Sequence, residues 1–516
     1  MNFNNLGIIC DLNKTSGLGH FKRMSYLENQ LKKRGQKSLF LFDIEDRKFV
    51  RKFLKHSNVK FFSKNILQNN ENLKSFLLKH KISNIIIDSY KLNFSFEEKL
   101  IRCGIFVISI DDHLKKHASN VVITNRNDIK KIFKKQIWLS GSKYVLATCS
   151  KNKIEKKKKR NYFKILLHAG GYSYYRLNKN FTESAFKAVN NSKNQIEALC
   201  SSKESKKYIL KLAKKYNMGK RLKILQFSNN FKKMISKYDI VAGPAGTTTY
   251  EAILAGALPF SIPLKNDGRD SLNTWNSIGH LMHLSSKEKT NLNILDKSWV
   301  FIFNNYNKLL KNLNNNKNSI DGLGPKRVAE KIIFFLKNKS RLIYPSNKKN
   351  NHNKFDCNKC EINEARTFLK ARNQKQNRML SSKPNHKITW PEHLNWWFNR
   401  DCLKYSLKKN DITVAFHWIK IVKDKFGKFV IAGWFLYKNP KEKLKIASKI
   451  LSFQFNAVKK NYKTIQWIIN FKNGQKFVER LNKKIGFKNA SQKSVNRICD
   501  FYSLSSKEFK FMEMTL

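Results

Sequence analysis

The sequence predicts an α/β chain of 516 residues: two doubly wound, Rossmann-like halves followed by a separate α+β unit. Three observations carry that expectation. Short β-rich apolar runs alternate with segments of helical spacing as far as about residue 338, which is the pattern of a parallel sheet flanked by helices. Lys151 to Arg160 is almost pure charge and divides this alternation in two. A polar, Asn/Lys-rich stretch containing Pro345 then separates it from a region where strands and helices follow in a different order. The expected boundaries are residues 1–150 and 161–338 for the two halves, 339–360 for a linker and 361–516 for the α+β unit.

In chain order, Leu6 to Cys10 reads as a buried first strand, and Met24, Leu27 and Leu31 mark the apolar face of the helix after it. Ser38 to Phe42, Ile85 to Asp88 and Ile105 to Asp111 are further strands of the first half. Tyr162 to Leu167 restarts the pattern, continued by strands near Ile196 to Cys200, Leu222 to Gln226 and Ile240 to Ala242, and closed by a helix over Val328 to Leu336. The last unit reads as helices near Ile362 to Arg372 and Trp390 to Arg400, then strands at Ile412 to Ile419 and Phe429 to Leu436. A helix through Ile446 to Val458, a strand Thr464 to Ile469 and a helix near Lys476 to Lys484 complete it.

The formal net charge is +67. Lysines are spread along the whole chain together with abundant Asn, which fits compositional drift better than a nucleic-acid footprint, and no nucleic-acid module is recognisable. No apolar run approaches the roughly 18 residues of a membrane helix, and no secretory leader pattern opens the chain, so a cytoplasmic protein without a membrane partner is expected. The eight cysteines, mostly isolated, read as reduced thiols. Cys357 and Cys360 form one C-x-x-C, half of a structural zinc set that His352 and His386 would have to complete, and no metal is expected.

Two turns carry the chemistry. Leu12 to Arg23, L-N-K-T-S-G-L-G-H-F-K-R, joins the first strand to the first helix. Gly17 and Gly19 permit tight backbone geometry, and His20 lies at the positive end of the helix, which favours a neutral imidazole and hence a general base. The plainer alternative is a Gly-rich turn with an incidental His. Ala242 to Ala252, A-G-P-A-G-T-T-T-Y-E-A, likewise follows a strand and opens a helix. There Gly243 and Gly246 let backbone approach a phosphate, Thr247 to Thr249 add hydroxyls, and Glu251 suits a ribose. A helix cap with a dipole-stabilising Glu is the alternative for this turn.

With D-S-Y (Asp88 to Tyr90), I-D-D (Ile110 to Asp112), H-A-G-G-Y-S (His168 to Ser173), I-P-L-K-N and D-G-L-G-P-K-R (Asp321 to Arg327), these motifs occur in an order that resembles the nucleotide-sugar hydrolases of pseudaminic acid biosynthesis. The resemblance covers residues 1 to about 338. It implies the GT-B fold and hydrolysis of a UDP-linked diacetamido-trideoxy-hexose, with no cofactor. It further implies His20 as base, with Tyr90 and Asn273 as further catalytic residues, Tyr90 orienting the sugar. Gly17, Gly19, Arg23, Asp112, Gly170, Gly171, Gly246, Thr247, Thr248 and Glu251 would hold substrate and nucleotide. Thr274 and Ser173 stand where that family has Gln and Asp. A GT-B glycosyltransferase, or a basic nucleic-acid-binding or scaffold protein with a decayed site, is the alternative.

Arg372 to Leu380, Ile388 to Trp397 and I-G-F at Ile485 to Phe487 resemble GNAT acetyltransferases that acylate amino sugars. The resemblance implies acetyl-CoA, a sugar-facing wall with His393 and Trp396, and a pyrophosphate turn at Lys443, Lys445, Ile446 and Ser448. Ile446 replaces a Gly of that turn and Asn482 replaces the usual general-acid Tyr, so weak acetyl-CoA binding is expected.

Overall fold

The structure, a computed structural model, describes residues 5–13, 17–54, 58–63, 66, 69–126, 136–148, 161–169, 178–200, 202–226, 234–263, 272–339, 355–381, 383–399, 401–410, 412–438, 440, 442–461, 464–502 and 504–516. It divides into two compact units, Met1–Lys348 and Lys349–Leu516.

The first unit holds two parallel sheets. Strands β1 (Asn5–Cys10), β2 (Ser38–Asp43), β3 (Val59–Phe62), β4 (Ile82–Asp88), β5 (Phe106–Ile110), β6 (Val121–Thr124) and β7 (Ile137–Ser140) are ordered β3-β2-β1-β4-β5-β6-β7. Strands β8 (Lys164–His168), β9 (Gln195–Leu199), β10 (Leu222–Leu225), β11 (Ile240–Pro244) and β12 (Leu258–Ile262) are ordered β10-β9-β8-β11-β12. In each sheet the order reverses once, at β1/β4 and at β8/β11, and the carboxyl edge at such a reversal is where α/β sheets form ligand crevices. Both predicted turns lie there: Leu12 to Arg23 leaves β1 and Pro244 to Gly246 leaves β11.

The sheets are apolar on both faces because helices cover both. On one side Leu6 and Ile8 pack with Met24, Leu27 and Leu31 of α1 (Gly19–Lys32); on the other Ile9, Ile85 and Ile87 pack with Leu73 and Leu77 of α2 (Asn70–Lys79) and with Phe96 and Leu100 of α3 (Phe94–Arg102). Two crossings tie the halves into one unit. Val145 and Ala147, which precede the second sheet, pack with Tyr250 of α4 (Thr247–Leu254) and Trp275 of α5 (Leu272–Ser277). Conversely α6 (Gly324–Lys337), expected to close the second half, returns to the first, where Val328, Ile332 and Phe335 join the α1 core. Its start lies so close to the crossing that a Cβ on Gly324 would stand 2.0 Å from the Val145 carbonyl oxygen. Hydrophobic alternation gives the period of a helix but not the sheet it covers, which is why residue 338 is not the edge of the second half in space.

The second unit is a mixed sheet ordered β13-β14-β15-β16-β17-β19-β18, from β13 (Phe355–Lys359), β14 (Cys402–Lys409), β15 (Ile412–Asp424), β16 (Gly427–Leu436), β17 (Gln466–Lys472), β18 (Lys488–Asn489) and β19 (Phe509–Thr515). The expected linker 339–360 is therefore too long, since β13 lies inside it and pairs antiparallel with β14. Its sequence F-D-C-N-K carries too little apolar alternation to register as a strand. Strands β16 and β17 are parallel, yet their register covers only Phe429↔Gln466 and Val430↔Trp467. Beyond Val430 that edge of β16 has no strand partner among the described residues. Among the described residues no helix is long and apolar enough to cross a membrane.

Candidate active site

His20 is the second residue of α1 and only 6% exposed. The turn before it depends on Gly17, whose φ of 71° lies in the left-handed region and whose N–H donates to the Asn13 carbonyl at 2.9 Å. The sequence reading placed the helix dipole behind this imidazole but missed its partner. Asp88, fully buried at the end of β4, meets His20 Nδ1 at 2.7 Å through Oδ1. Such a bond fixes the neutral tautomer with the proton on Nδ1, leaving the Nε2 lone pair on the far side of the ring to accept one.

A buried carboxylate persists only when paired. Arg23, one turn along α1, supplies the pairing: its Nε donates to Asp88 Oδ2 at 2.6 Å, Nη2 bonds Oδ1, and Nη1 reaches Asp112 Oδ2 at 2.5 Å. Burial alone would raise the Asp88 carboxyl, but Arg23 and His20 outweigh it and hold it at about 2. Arg23, expected to touch substrate, thus has its guanidinium committed to two carboxylates. The missed signal was positional: Asp88 ends the apolar run Ile85 to Ile87 at the switch-point edge, where an acid is costly unless it has work to do.

Tyr90 closes the site from the β4 corner. Asp11 holds that corner by accepting the Ser89 hydroxyl at 2.7 Å and the Tyr90 N–H at 3.0 Å. The Tyr90 ring stands edge-on to His20 with centroids 4.4 Å apart, and its hydroxyl donates to Asp112 Oδ2 at 3.2 Å. His20, Arg23, Tyr90 and Asp112, all singled out from sequence, are therefore brought together, with Asp88 as the added member.

On the other side the start of α4 meets the start of α1. The Thr247 hydroxyl lies 3.5 Å from the Gly19 carbonyl oxygen, and a Cβ on Gly19 would stand 3.9 Å from it. Two helix N-termini in contact form a positive pole suited to an anion. Gly243 allows the strand before α4 to press on His168, since a Cβ there would lie 2.3 Å from the His168 carbonyl oxygen. Burial, aided by Lys22, drives the His168 imidazole down to about 4, so it is neutral near pH 7.

Two expectations for this turn need correction. The Gly246 N–H already donates to Thr249 Oγ1 at 3.2 Å, so the helix-start amides left to face a ligand are those of Thr247 and Thr248. Glu251 is 2% exposed and both its oxygens are engaged across the halves, one by Lys22 Nζ at 2.6 Å and the other by the Tyr26 hydroxyl. It latches α4 to α1 here rather than presenting a free carboxylate to a ribose. Asn273 is exposed on α5 and makes no bond to the His20 cluster, whereas Thr274 beside it is buried, its hydroxyl without a hydrogen-bond partner among the described residues. Gly170, Gly171 and Ser173 lie outside the described residues.

The second unit groups its predicted residues differently. Thr389 and Glu392 form a capping box that opens α7 (Trp390–Trp397), and His393 on that helix is fully buried among Phe368, Trp390, Trp396 and Trp397, centroids 5.5–5.9 Å away. The polar group set against the imidazole is the Ala365 backbone, a weak contact short of a full hydrogen bond among the described residues. The cations Arg366, over Trp390 at 3.8 Å, and Arg372, over Trp396 at 4.7 Å, flank it, while Lys404 Nζ donates to the carbonyls of Trp397 and Asn399, both at 2.8 Å. Burial, then Arg372, hold His393 well below the ordinary histidine range.

Helix α8 (Lys443–Asn461) begins where the pyrophosphate turn was expected. Lys443, Lys445 and Ser448 are exposed on its first turns, but Ile446 is 1% exposed and packs with Leu407, Ala415 and Ile450. The obstruction predicted from its branched side chain does not arise, because the helix turns Ile446 into the core. Asn482 is 3% exposed and donates to the Val478 carbonyl at 2.8 Å, a bond within its own helix. Cys357 Sγ lies 3.1 Å from His417 Nε2, and no group of three or more potential metal ligands occurs among the described residues.

No protein-family model matches the sequence, and no curated protein does. Solved structures similar to it include MurG of Acinetobacter baumannii, at 13% identity and a TM-score of 0.48 over 64% of this chain and 99% of that one. Others are an S. aureus MnaA co-structure with UDP, at 10% and 0.47 over 65% and 97%, and the UDP-GlcNAc 2-epimerase of Neisseria meningitidis bound to UDP-GlcNAc, at 13% and 0.44 over 64% and 99%. At these values the likenesses carry no functional weight.

Proposed function

We propose that the first unit is a nucleotide-sugar hydrolase that releases UDP from a UDP-linked diacetamido-trideoxy-hexose, a step of pseudaminic-type acid biosynthesis. The observation that carries this reading is the His20–Asp88 pair at 2.7 Å, set at the sheet's switch point beside two touching helix N-termini. A base and an anion pole side by side are what C–O cleavage at a sugar diphosphate requires. His20 Nε2 takes a proton from water as the oxygen attacks the anomeric carbon. The bond from that carbon to the β-phosphate oxygen breaks, and UDP leaves carrying the electron pair. Amides of Thr247 and Thr248 face the diphosphate, and Tyr90 borders the sugar.

The test is incubation of the full chain with candidate UDP-diacetamido sugars in 18O-water, followed by mass spectrometry. Label in the free sugar and none in UDP supports this chemistry; label in UDP means attack at phosphorus and sinks the role of His20. No UDP release from any candidate favours the glycosyltransferase alternative. Tighter binding of a random oligonucleotide than of UDP at moderate salt would favour the nucleic-acid alternative.

For the second unit we propose amine acetylation from acetyl-CoA, which supplies the thioester acyl group. The stretch of β16 beyond Val430 that has no strand partner among the described residues supports it, since an unpaired strand edge can bond an extended ligand. Lys443, Lys445, Ser448 and the first amides of α8 suit its phosphates, and Trp396, with His393 buried behind it, backs the sugar side.

A further inference from the structure

We propose that His117 is a positioning residue for the His20 site: clamped between Glu97 and Asp111, it fixes the turn that delivers Asp112, His113 and Lys115 to Tyr90 and Arg23. This rests on the reading of the His20 cluster as catalytic. The turn runs from Asp111 to Asn120, between β5 and β6, along the carboxyl edge of the first sheet. Asp111 shapes its first part by accepting the N–H groups of His113 at 2.8 Å and Lys115 at 3.0 Å. Leu114 between them has a φ of 54°, a left-handed conformation unfavourable for a side chain of that size. The turn does not hold this shape through local preference, so something outside it must.

His117 supplies that hold. Its Nδ1 lies 2.7 Å from Glu97 Oε1 and its Nε2 forms a 3.5 Å ion pair with Asp111 Oδ2. Glu97 is 3% exposed and also accepts the Ser109 hydroxyl at 2.8 Å and the N–H groups of Ala118 at 2.7 Å and Ser119 at 3.1 Å. Gln136 donates to the carbonyls of His117 and Ser119. The charged groups facing His117 are thus Glu97 from α3 and Asp111 from its own turn, while Ser109 of β5 and Gln136 before β7 are uncharged. Burial opposes protonation, but the two carboxylates outweigh it and raise His117 to about 9, so it is a cation at neutral pH.

The turn reaches the reacting site through contacts that His117 itself does not make. Asp112 bonds Arg23 and Tyr90. The His113 ring lies 4.9 Å from the Tyr90 ring, and Lys115 Nζ lies 5.4 Å from that ring's centroid and 3.4 Å from the Tyr90 carbonyl oxygen. Tyr90 in turn is the wall against His20.

The variant H117Q keeps one donor and removes the charge. Two measurements on the full chain need no substrate. Hydrogen exchange, corrected for intrinsic rates, should show the 111–119 segment losing about tenfold in protection at pH 7 in H117Q. The unmodified protein should lose the same protection between pH 8 and 10, with a midpoint near 9, while H117Q stays flat. Carbethoxylation of His20, followed by peptide mass spectrometry, should run several-fold faster in H117Q as Tyr90 leaves the ring edge. With a UDP-sugar that the enzyme hydrolyses, kcat should fall about tenfold with UDP affinity unchanged, because the α4 cradle is untouched. Unchanged exchange overturns the proposal. So does lost protection with unchanged His20 reactivity, which would make the clamp structural only. Absence of UDP release from the unmodified protein, with both substrate-free changes present, sinks the hydrolase reading and leaves the positioning role supported.

Discussion

His20 and His393 are both buried near the start of a helix, and their surroundings are opposite. His20 is bonded to a carboxylate that Arg23 holds ionised, so the ring has a fixed tautomer and a proton it can gain without stranding a charge. His393 has aromatic walls, cations nearby and, as its polar neighbour, the Ala365 backbone rather than a carboxylate, so a proton there would stand beside Arg372 and Arg366 with no opposite charge. A histidine's chemistry is set by what its second nitrogen meets. Only the first arrangement suits a general base, and the second keeps a buried ring neutral.

The largest test of that contrast is to remove the carboxylate or the ring. His20→Ala should lower UDP release by about two to four orders of magnitude with little change in UDP affinity. Asp88→Ala should lose as much, and should also destabilise the first unit by about 3–5 kcal/mol, because Arg23 is left buried with half its pairing gone. Steady-state kinetics and urea unfolding followed by exchange in first-unit peptides would check both. An Asp88→Ala variant with normal turnover would break the comparison at its root.

Next in size is Ile446. From the sequence, a glycine there should improve acetyl-CoA binding; from its packing against Leu407, Ala415 and Ile450 it should do harm. Ile446→Ala should cost about 2–5 kcal/mol through the cavity it leaves, and glycine about 1 kcal/mol more through helix propensity. A urea midpoint for second-unit peptides equal to that of the unmodified protein would show that the side chain is not in the core.

That reversal marks where the sequence was legible. The two parallel sheets and the turns after β1 and β11 were readable, because periodicity and Gly placement are local signals, whereas Arg23, Tyr90 and Asp112 were named beside His20 only through the resemblance of the motif order to a known family. What was not readable depended on which residues meet across the fold. Asp88 is an ordinary strand-end acid until Arg23 faces it, and Glu251 looks like a ribose ligand until Lys22 and Tyr26 reach it from the other half. Ile446 was read as an obstruction at a phosphate turn, because alignment to a motif does not say which way a helix turns its side chains. Edge strand β13, polar and short, had no apolar alternation to betray it.

Acid should separate the two sites with opposite timing. The Asp88 carboxyl is depressed from 3.8 to about 2, so its contribution of about 2 kcal/mol is present above pH 4 and lost only as pH falls through 2. His393 and His417 are held below the histidine range by burial, His417 at about 3. Their unfolded forms take up protons below about pH 6.5 while the folded forms do not, so the second unit should lose up to about 1.4 kcal/mol per pH unit for each. Exchange in peptides of the two units, followed from pH 7 to pH 4, would measure this. A second unit of constant stability over that range would mean these rings are protonated in the folded state.

The smallest effect sharpens the contrast most, because it asks whether His393 needs its nitrogens at all. Phenylalanine is flat like the imidazole and slightly larger, so at a site walled by Phe368, Trp390, Trp396 and Trp397 it brings at most a modest packing strain. Losing the two nitrogens removes a desolvation cost and gives up only the weak contact with the Ala365 backbone, so on polar grounds the replacement is near neutral. His393→Phe should therefore leave the second unit within about 1 kcal/mol of the unmodified protein at pH 7, and should remove one histidine's share of its acid sensitivity. If the ring serves only packing, acetyl transfer should survive; if it borders the amine, kcat should fall while the fold holds. The same substitution at His20 would strand Asp88 and Arg23 around an apolar ring. A costly His393→Phe, by 3 kcal/mol or more, would show that the Ala365 backbone contact is a strong bond and that this ring, like His20, depends on its nitrogens.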